Sequence, residues 1–147
     1  MKIQNAKIVA VSISEKKGTK KKNVESVELK ENFGIIGDAH AGAGHRQVSL
    51  LAKESIEKMR NKGLKVGPGD FAENITTEGI DLTSLRPGAK VKVGGDALLE
   101  ITQLGKECHA RCDIYYQAGD CVMPKEGVFA KVLEGGVIKP GDEICIE

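Results

Sequence analysis

The sequence is poor in aromatic residues, which make up 3% of the chain and include no tryptophan. Proteins that bind single-stranded nucleic acids use aromatic side chains as platforms for stacking the bases. The chain also lacks an excess of positive charge, with 22 lysine and arginine residues against 21 aspartate and glutamate residues. Binding to phosphate backbones usually requires a marked basic excess. These two shortages argue against a nucleic-acid partner.

Long apolar runs are also missing. No stretch approaches the ~20 apolar residues that a membrane-spanning helix requires. The N-terminal sequence MKIQNAKIVAVSIS alternates in polarity and lacks the continuous apolar core of a signal peptide. We therefore expect a cytoplasmic protein without a membrane partner. In that compartment the four cysteines should be reduced, which favours metal binding or thiol chemistry over structural disulfides.

Short strand-like segments separated by glycine and proline turns dominate the chain. Alternating or β-branched patterns predict strands within residues 3–14, 24–29, 46–51, 71–76, 97–104 and 127–133, and after the turns in RPGAKVKVGG and KPGDEICIE. The segment Ala52–Lys62 predicts one helix, with Ile56 and Met59 on a single face. The basic run Lys16–Lys22 predicts a solvated hairpin tip. We expect a single mainly β domain over residues 1–147, namely a β-barrel of short, mostly antiparallel strands with one or two short helices.

A glycine-dense segment, FGIIGDAHAGAGHR, is called the glycine loop here (residues 33–46). It lacks the Gly-Lys-Ser/Thr ending of a P-loop, and a strand-like segment follows it, so the pattern does not support a nucleotide-phosphate cradle. A surface loop with glycines that serve only turn geometry would also fit. Two of the three histidines fall in this loop, which favours a functional rim. The candidate binding residues of the loop are Asp38, His40, His45 and Arg46.

Three of the four cysteines fall in a second segment, Gly105–Pro124, which contains GKECHARC and GDCVMP and is called the cysteine segment. Cys108 and Cys112 lie among charged residues, which are poor neighbours for inert buried thiols. The adjacent His109 and Arg111 favour the thiolate, the form that acts as nucleophile and metal ligand. Cys108 and Cys112 are therefore the candidate catalytic and metal-ligating residues.

Two other uses of the cysteines remain open. A zinc-stabilised binding module without catalysis would use the single closely spaced pair, with His109 and Cys121 completing the site, although paired CxxC spacing is absent. A redox switch would join Cys108 to Cys112 as a disulfide. Cys145, in the alternating EICIE strand, is expected to be a structural thiol.

Five segments follow one another in the order typical of the MOSC domain: GIIGDAHAGAGHRQVSLL, PGDFAENITTEGIDL, GKECHARC, GDCVMPKEGVFAKVL and GGVIKPGDEI. On these residues the sequence resembles the MOSC family, named after the C-terminal domain of molybdenum cofactor sulfurase, in its small stand-alone bacterial type. The resemblance covers nearly the whole chain. It implies a β-rich fold around a barrel like that of the pyruvate kinase barrel domain, with an essential cysteine at the mouth of a cleft.

The resemblance also implies a function in molybdenum cofactor metabolism. The reactive cysteine would carry sulfur as a persulfide or bind a molybdenum centre, and whether the chain is a sulfur-transferring enzyme is left open. In molybdenum-containing relatives the cysteine of an Arg-Cys pair ligates the metal, which corresponds to Cys112. Relatives with one cysteine followed closely by a basic residue match Cys108 better. Both residues are therefore kept as candidates.

The remaining site residues take their roles from the same resemblance. Arg46, Arg111, His40 and His45 would hold phosphate or molybdate oxygens through charge-assisted hydrogen bonds. Glu73 and Asn74, in a polar stretch that turn chemistry alone would explain, would line the cleft.

The partners follow from what the chain does not contain. At 147 residues the chain has no room for the pyridoxal-phosphate domain of the sulfurases, so no pyridoxal-phosphate site is expected. A separate cysteine desulfurase would supply the sulfur, and the molybdenum cofactor or a molybdoenzyme would accept it.

Overall fold

The structure, a computed structural model, describes residues 6–16, 21–39, 41–42, 44, 47–63, 65–71, 73–104 and 126–147. Within these residues the chain forms eleven strands, one α-helix and one 3₁₀ helix. In chain order the elements are β1 (Lys7–Ile13), β2 (Lys22–Val24), β3 (Val27–Lys30), β4 (Gly34–Ile35), β5 (Val48–Ala52), α1 (Lys53–Arg60), β6 (Ile75–Glu78), the 3₁₀ helix (Leu82–Ser84), β7 (Lys90–Val93), β8 (Ala97–Leu104), β9 (Val128–Glu134), β10 (Gly136–Ile138) and β11 (Ile144–Ile146).

Eight of these strands form one sheet in the order β11-β7-β8-β9-β5-β6-β1-β2, and the other three form a second sheet in the order β10-β3-β4. Every pairing between these strands is antiparallel except that of β5 with β6, which is parallel. The predicted mainly β fold, with mostly antiparallel short strands and one α-helix, is confirmed.

The prediction of a closed barrel is wrong, because the eight-stranded sheet is open and mixed. The segment that leads into β11 approaches β1 only over a short stretch, through an isolated bridge between Lys7 and Glu143 and through backbone hydrogen bonds that join Ala6 and Ile8 to residues 141–144. The reason lies in β1, one edge of which pairs with β6. The other edge of β1 is divided between β2 and the segment that leads into β11. There β2 takes the C-terminal half of β1, so that only the residues around Lys7 are left for the segment that leads into β11.

Strand β5 lies at the centre of the packing, and all five of its residues are buried. Val48 and Leu50 belong to the larger apolar core, which Val, Ile, Leu and Ala side chains fill. Leu51 faces the opposite side, where Ile56 and Met59 of α1 cover it. The predicted helix and its buried face are therefore confirmed. Among the residues that the structure describes, no helix has the length and apolar character needed to cross a bilayer.

Some sequence-based expectations fail at turns and edges. The predicted strand over 24–29 is divided between β2 and β3, which belong to different sheets, because the chain changes sheet at the exposed Glu25 and Ser26. The two short strands β4 and β10 were not predicted. Cys145 is exposed and is not a core thiol, since β11 lies at the edge of the sheet and buries Ile144 instead.

Candidate functional site

Three of the predicted site residues, Asp38, Glu73 and Asn74, lie in the part of the chain that the structure describes. Seven others lie outside it, namely His40, His45, Arg46, Cys108, His109, Arg111 and Cys112. Their roles stay predictions, and so does that of Cys121. The described residues nevertheless define the framework from which both loops leave the sheet.

The sheet topology brings the three described residues to one end of the fold. Strands β5 and β6 run parallel, so they begin at the same end, and β1, antiparallel to β6, finishes there. Asn74 and Glu73 directly precede β6, and Ser14 directly follows β1. The glycine loop leads into β5 at this same end. We call this region the polar end; its residues are Ser14, Lys21, Asp38, Gln47, Ser49, Glu73 and Asn74.

Asp38 forms a fully buried ion pair with Lys21. The Lys21 Nζ lies 2.8 Å from the Asp38 Oδ1, and neither side chain has exposed surface. The backbone N–H of Ser14 donates to the same carboxylate oxygen at 3.0 Å, and Lys21 Nζ also donates to the Ser14 hydroxyl at 3.0 Å. Burying a charge is costly unless it is paired and hydrogen-bonded, and here both conditions are met. Asp38 thus attaches the start of the glycine loop to the end of β1.

Lys21 corrects the prediction that Lys16–Lys22 is a solvated tip. Lys16 and Lys22 are exposed as expected, but Lys21 is 4% exposed. No local pattern distinguishes this lysine from its neighbours, because a run of similar residues has no periodicity to mark an inward position. The signal for a buried lysine is Asp38, an isolated carboxylate in a glycine-rich loop. A buried carboxylate needs a cation beside it, and Lys21 is that cation.

Glu73 is a buried carboxylate that organises the turn before β6. Its Oε2 accepts hydrogen bonds from the Gly69 N–H and the Thr76 hydroxyl, both at 2.9 Å, and its Oε1 accepts from the Phe71 N–H at 3.2 Å. Burial raises the pKa of the Glu73 carboxyl, although the hydrogen bonds from Gly69 and its other donors act in the opposite direction. The side chain therefore serves as an internal cap for the PGDFAEN segment.

Asn74 joins three strands. Its Oδ1 accepts from the Ser49 N–H at 3.0 Å and from the Ser49 hydroxyl at 3.1 Å, and its Nδ2 donates to the Ser12 carbonyl at 3.1 Å. Its backbone N–H and C=O bond to Ser49 and Ser12 as well. Asn74 therefore extends β6 between β5 and β1 by one more residue. Its side chain is fully buried.

Gln47 holds the other end of the glycine loop. Its Oε1 accepts from the Val132 N–H at 2.9 Å, and its Nε2 donates to the Asn32 Oδ1 at 3.2 Å and to the Gly44 carbonyl at 3.1 Å. The Cβ of any larger residue at Gly34 would approach the Gln47 carbonyl oxygen to 2.7 Å. The loop is thus attached to the sheet by a buried polar side chain on either side. Sequence reasoning did not identify Gln47.

The cysteine segment connects β8 to β9, and its two attachment points lie at the opposite end of β5. Leu104 pairs with Val128, and Val128 pairs with Leu50 on the side from which α1 departs. Glu126, at the start of the described chain after the segment, accepts a hydrogen bond from Ser55 and forms a 3.0 Å ion pair with Lys58. The C-terminal attachment of the cysteine segment is therefore fixed to α1.

An open groove lies beside this attachment, between α1 and the segment that follows β6. Its volume is about 580 Å³. The lining residues are Ala52, Glu54, Ser55, Lys58, Gly79, Ile80, Asp81, Leu82, Thr83 and Glu126. The carboxylates of Glu54, Asp81 and Glu126 outnumber the single ammonium, that of Lys58, so the groove is unsuitable for an anion. No cluster of three or more metal-ligating side chains occurs in the described ranges.

The fold and these loops define a small, mainly β domain. The glycine loop leads into one end of its central strand, β5, and the cysteine segment is attached to the sheet at the other end of β5. The sequence profile of the MOSC domain matches residues 37–145, which include the cysteine segment and most of the glycine loop. The chain belongs to the MOSC domain family. This family is associated with molybdenum cofactor metabolism.

Solved structures support the fold. The chain is similar to the YuaD protein of Bacillus subtilis with a TM-score of 0.78 and 21% identity, covering 98% of this chain and 97% of that one. It is also similar to YiiM of Geobacillus stearothermophilus, with a TM-score of 0.70 and 19% identity, covering 97% of this chain and 75% of that one. For YiiM of Escherichia coli the TM-score is 0.64 and the identity is 18%, and the match covers 96% of this chain and 69% of that one. No curated protein matched the sequence.

The chemistry of the available side chains fits the molybdenum cofactor. Cysteine thiolates are soft ligands that suit such a metal, and arginine and histidine suit phosphate oxygens. The described polar end adds no free anionic group that would oppose an anion, because Asp38 is paired with Lys21. Glu73 likewise accepts only internal hydrogen bonds in the contacts described above.

Proposed function

We propose that the chain is a cytoplasmic sulfur carrier of molybdenum cofactor metabolism, which holds sulfur as a persulfide on Cys108 or Cys112. A molybdenum centre bound through the same thiolate is the second form of this proposal. The observation that carries it is the family match over residues 37–145, since the match spans the cysteine segment as well as residues 37–46 of the glycine loop.

The chemistry of loading requires only a nucleophilic thiolate and a persulfide donor. The thiolate of Cys108 or Cys112 attacks the outer sulfur of a persulfide on a cysteine desulfurase. A new S–S bond forms on this chain, the donor's S–S bond breaks, and the donor cysteine leaves as a thiolate, so no external oxidant is needed. His109 and Arg111 promote the reaction by stabilising the attacking thiolate.

The cofactor form uses the same residues in a binding role. When bound, the molybdenum cofactor would supply a redox-active metal centre. The Cys112 or Cys108 thiolate would ligate the metal, and Arg46, Arg111, His40 and His45 would donate hydrogen bonds to phosphate or oxo groups. Asp38, Glu73 and Asn74 would support the loops from within the protein, because their side chains are engaged with protein donors and acceptors. The acceptor of the sulfur would be the cofactor itself or a molybdoenzyme.

Intact-mass measurement tests the proposal directly. The protein is incubated with a cysteine desulfurase and free cysteine, and we expect a gain of one sulfur atom that a reducing agent removes. Separate Cys108→Ser and Cys112→Ser variants identify the loaded thiol. Cys145→Ser is the matched control, because Cys145 is an exposed thiol in the described part of the chain and should not affect loading.

Three results would count against the carrier. These are no added sulfur on the wild type, sulfur that persists when both Cys108 and Cys112 are replaced, or sulfur that is lost with Cys145. Elemental analysis of the purified protein separates the other forms. Molybdenum that disappears in the double variant supports the cofactor form, whereas stoichiometric zinc with unfolding on chelation supports a zinc-stabilised module instead.

A further inference from the structure

The open groove between α1 and the segment after β6 combines two kinds of surface. Its base is formed by Ala52, Ile80 and Leu82, which belong to the larger apolar core. Its walls carry the charged side chains, namely those of Glu54, Lys58, Asp81 and Glu126. The volume of about 580 Å³ is within the range of ligand-binding clefts, which typically join an apolar lining to a few polar groups.

The groove carries a net negative charge. Lys58 is paired with Glu126, because its Nζ lies 3.0 Å from one carboxylate oxygen and 3.1 Å from the other. The ion pairs within the described part of the chain include neither Glu54 nor Asp81. Lys53, which precedes Glu54 in α1, is paired with a carboxylate outside the groove. Two exposed carboxylates are therefore available to a cation from another molecule.

Backbone N–H groups hold both of these carboxylates in place. The Gly79 N–H donates to the Glu54 Oε2 at 3.0 Å, and the Thr83 N–H donates to the Asp81 Oδ1 at 3.0 Å. Gly79 has φ +83°, which turns the chain from β6 into the wall that carries Asp81. Glu54 lies on the wall formed by α1. A cation between the walls would meet carboxylates that are already oriented, which reduces the entropy lost on binding.

The chemistry of the groove restricts its occupant. A metal ion does not fit, because no cluster of three or more metal-ligating side chains occurs in the described ranges. Lysine and arginine side chains do fit, since each joins an apolar stem to a cationic head. The stem can cover the apolar base while the head reaches a carboxylate on a wall.

We propose that this groove is a docking site for a basic segment of a partner protein, whose lysine or arginine side chains pair with Glu54 and Asp81 while neighbouring apolar side chains cover the base. Charge complementarity selects this occupant over an acidic or neutral one. The proposal is independent of the proposed function, because it uses no residue of the glycine loop or the cysteine segment.

The probe is a short capped peptide in which lysine and leucine alternate. A second peptide has serine in place of each leucine, and free spermidine represents a small polyamine. NMR titration of the wild type follows the amide resonances of Gly79, Ile80 and Thr83, which line the groove. Their shifts report both the place of binding and the dissociation constant.

Two substitutions remove the unpaired charge with little change of shape. Glu54→Gln keeps an oxygen that can accept from the Gly79 N–H, and Asp81→Asn keeps one for the Thr83 N–H. The matched control is Glu57→Gln, which removes an exposed carboxylate from the same helix outside the groove. Circular dichroism and urea unfolding establish that each variant is folded.

We expect the lysine–leucine peptide to shift the three groove resonances of the wild type. In the double variant Glu54→Gln with Asp81→Asn, its dissociation constant should rise by about fivefold, because two exposed ion pairs are lost. Glu57→Gln should change the constant by less than about twofold. The serine peptide should bind the wild type more weakly than the leucine peptide, because it leaves the apolar base uncovered.

Each of the other results would overturn the proposal. Without shifts at the groove, the peptide does not dock there. Equal weakening by Glu57→Gln and the double variant would show attraction to the charge of the whole surface, and equal binding of the two peptides would show that the base contributes nothing. Tighter binding of spermidine than of the peptide at the same amides would make the groove a polyamine site.

Discussion

Replacing Glu73 by glutamine should destabilise the protein even though the two side chains have the same shape. The amide nitrogen must take the place of one carboxylate oxygen. At the Oε2 position it would face the Gly69 N–H, and at the Oε1 position it would face the Phe71 N–H. A backbone N–H cannot become an acceptor, so one buried donor loses its partner in either orientation. The expected cost at neutral pH is about 1–3 kcal/mol of unfolding free energy.

The pH dependence of this cost has a defined sign. Burial raises the pKa of Glu73 above its usual value of 4.5, so between pH 4.5 and the raised pKa the folded protein binds more protons than the unfolded chain. The contribution of Glu73 to wild-type stability is therefore fully present below pH 4.5 and decreases as pH rises through this window. The stability difference between the wild type and Glu73→Gln should accordingly be largest at acidic pH.

Glu78→Gln is a control with the opposite sign. A side-chain hydrogen bond from Lys53 lowers the pKa of the partly exposed Glu78, the last residue of β6, the strand that follows Glu73. Its contribution to stability is present above pH 4.5 and is lost as pH falls through the lowered pKa. The difference between the wild type and Glu78→Gln should therefore increase with pH, while that for Glu73→Gln decreases.

Urea unfolding followed by far-ultraviolet circular dichroism, repeated from about pH 3 to about pH 8, measures both differences. This probe is suitable because the chain has no tryptophan and its strands supply the signal. A Glu73→Gln variant as stable as the wild type at every pH would refute the assigned hydrogen bonds. A difference that increases with pH for both variants would refute the role given to burial at Glu73.

Two further substitutions test the framework of the polar end. Gly69→Ala should lower the free energy of unfolding by about 1–2 kcal/mol because of its positive φ, and by about 1–3 kcal/mol more because the added Cβ overlaps a backbone carbonyl. Gly88→Ala, at φ +96° in open space, should show only the first of these costs in urea unfolding. Equal losses of stability in the two variants would contradict the close approach at Gly69. Asn74→Ala should cost about 1–3 kcal/mol because it removes the acceptor of the buried Ser49 N–H, and Asn61→Ala on the exposed end of α1 should change stability by less than about 0.5 kcal/mol.

The elements that could be predicted from the sequence are those whose burial follows a regular period. α1 was predicted because Ile56 and Met59 repeat at helical spacing, and β7 and β8 were predicted because their residues alternate. The failures arise where neighbouring segments decide the structure. Two residues suffice for β4 only because β3 lies beside them. The barrel stays open because β2 occupies the edge of β1 that closure would need, a competition that no local pattern records.

Within the candidate site, residue types were informative about chemistry but not about contact. Asp38, Glu73 and Asn74 were predicted to be cofactor-binding residues, and the structure shows that all three are buried. Glu73 is bonded to residues close to it in sequence, but the partners of the other two come from distant positions, since Asp38 meets Lys21 and Asn74 meets Ser12 and Ser49. A pattern that extends over a few residues cannot indicate such pairings. That these three side chains contact a ligand stays a prediction.

The distribution of charge at the polar end limits what could bind there. Lys21 and Asp38 neutralise each other, and the Glu73 carboxylate is enclosed by hydrogen bonds from Gly69, Phe71 and Thr76. The Lys21–Asp38 pair therefore contributes little net charge towards a ligand. We expect the attraction for a phosphate or molybdate to come chiefly from the glycine loop and the cysteine segment, which hold all three histidines and Arg46 and Arg111.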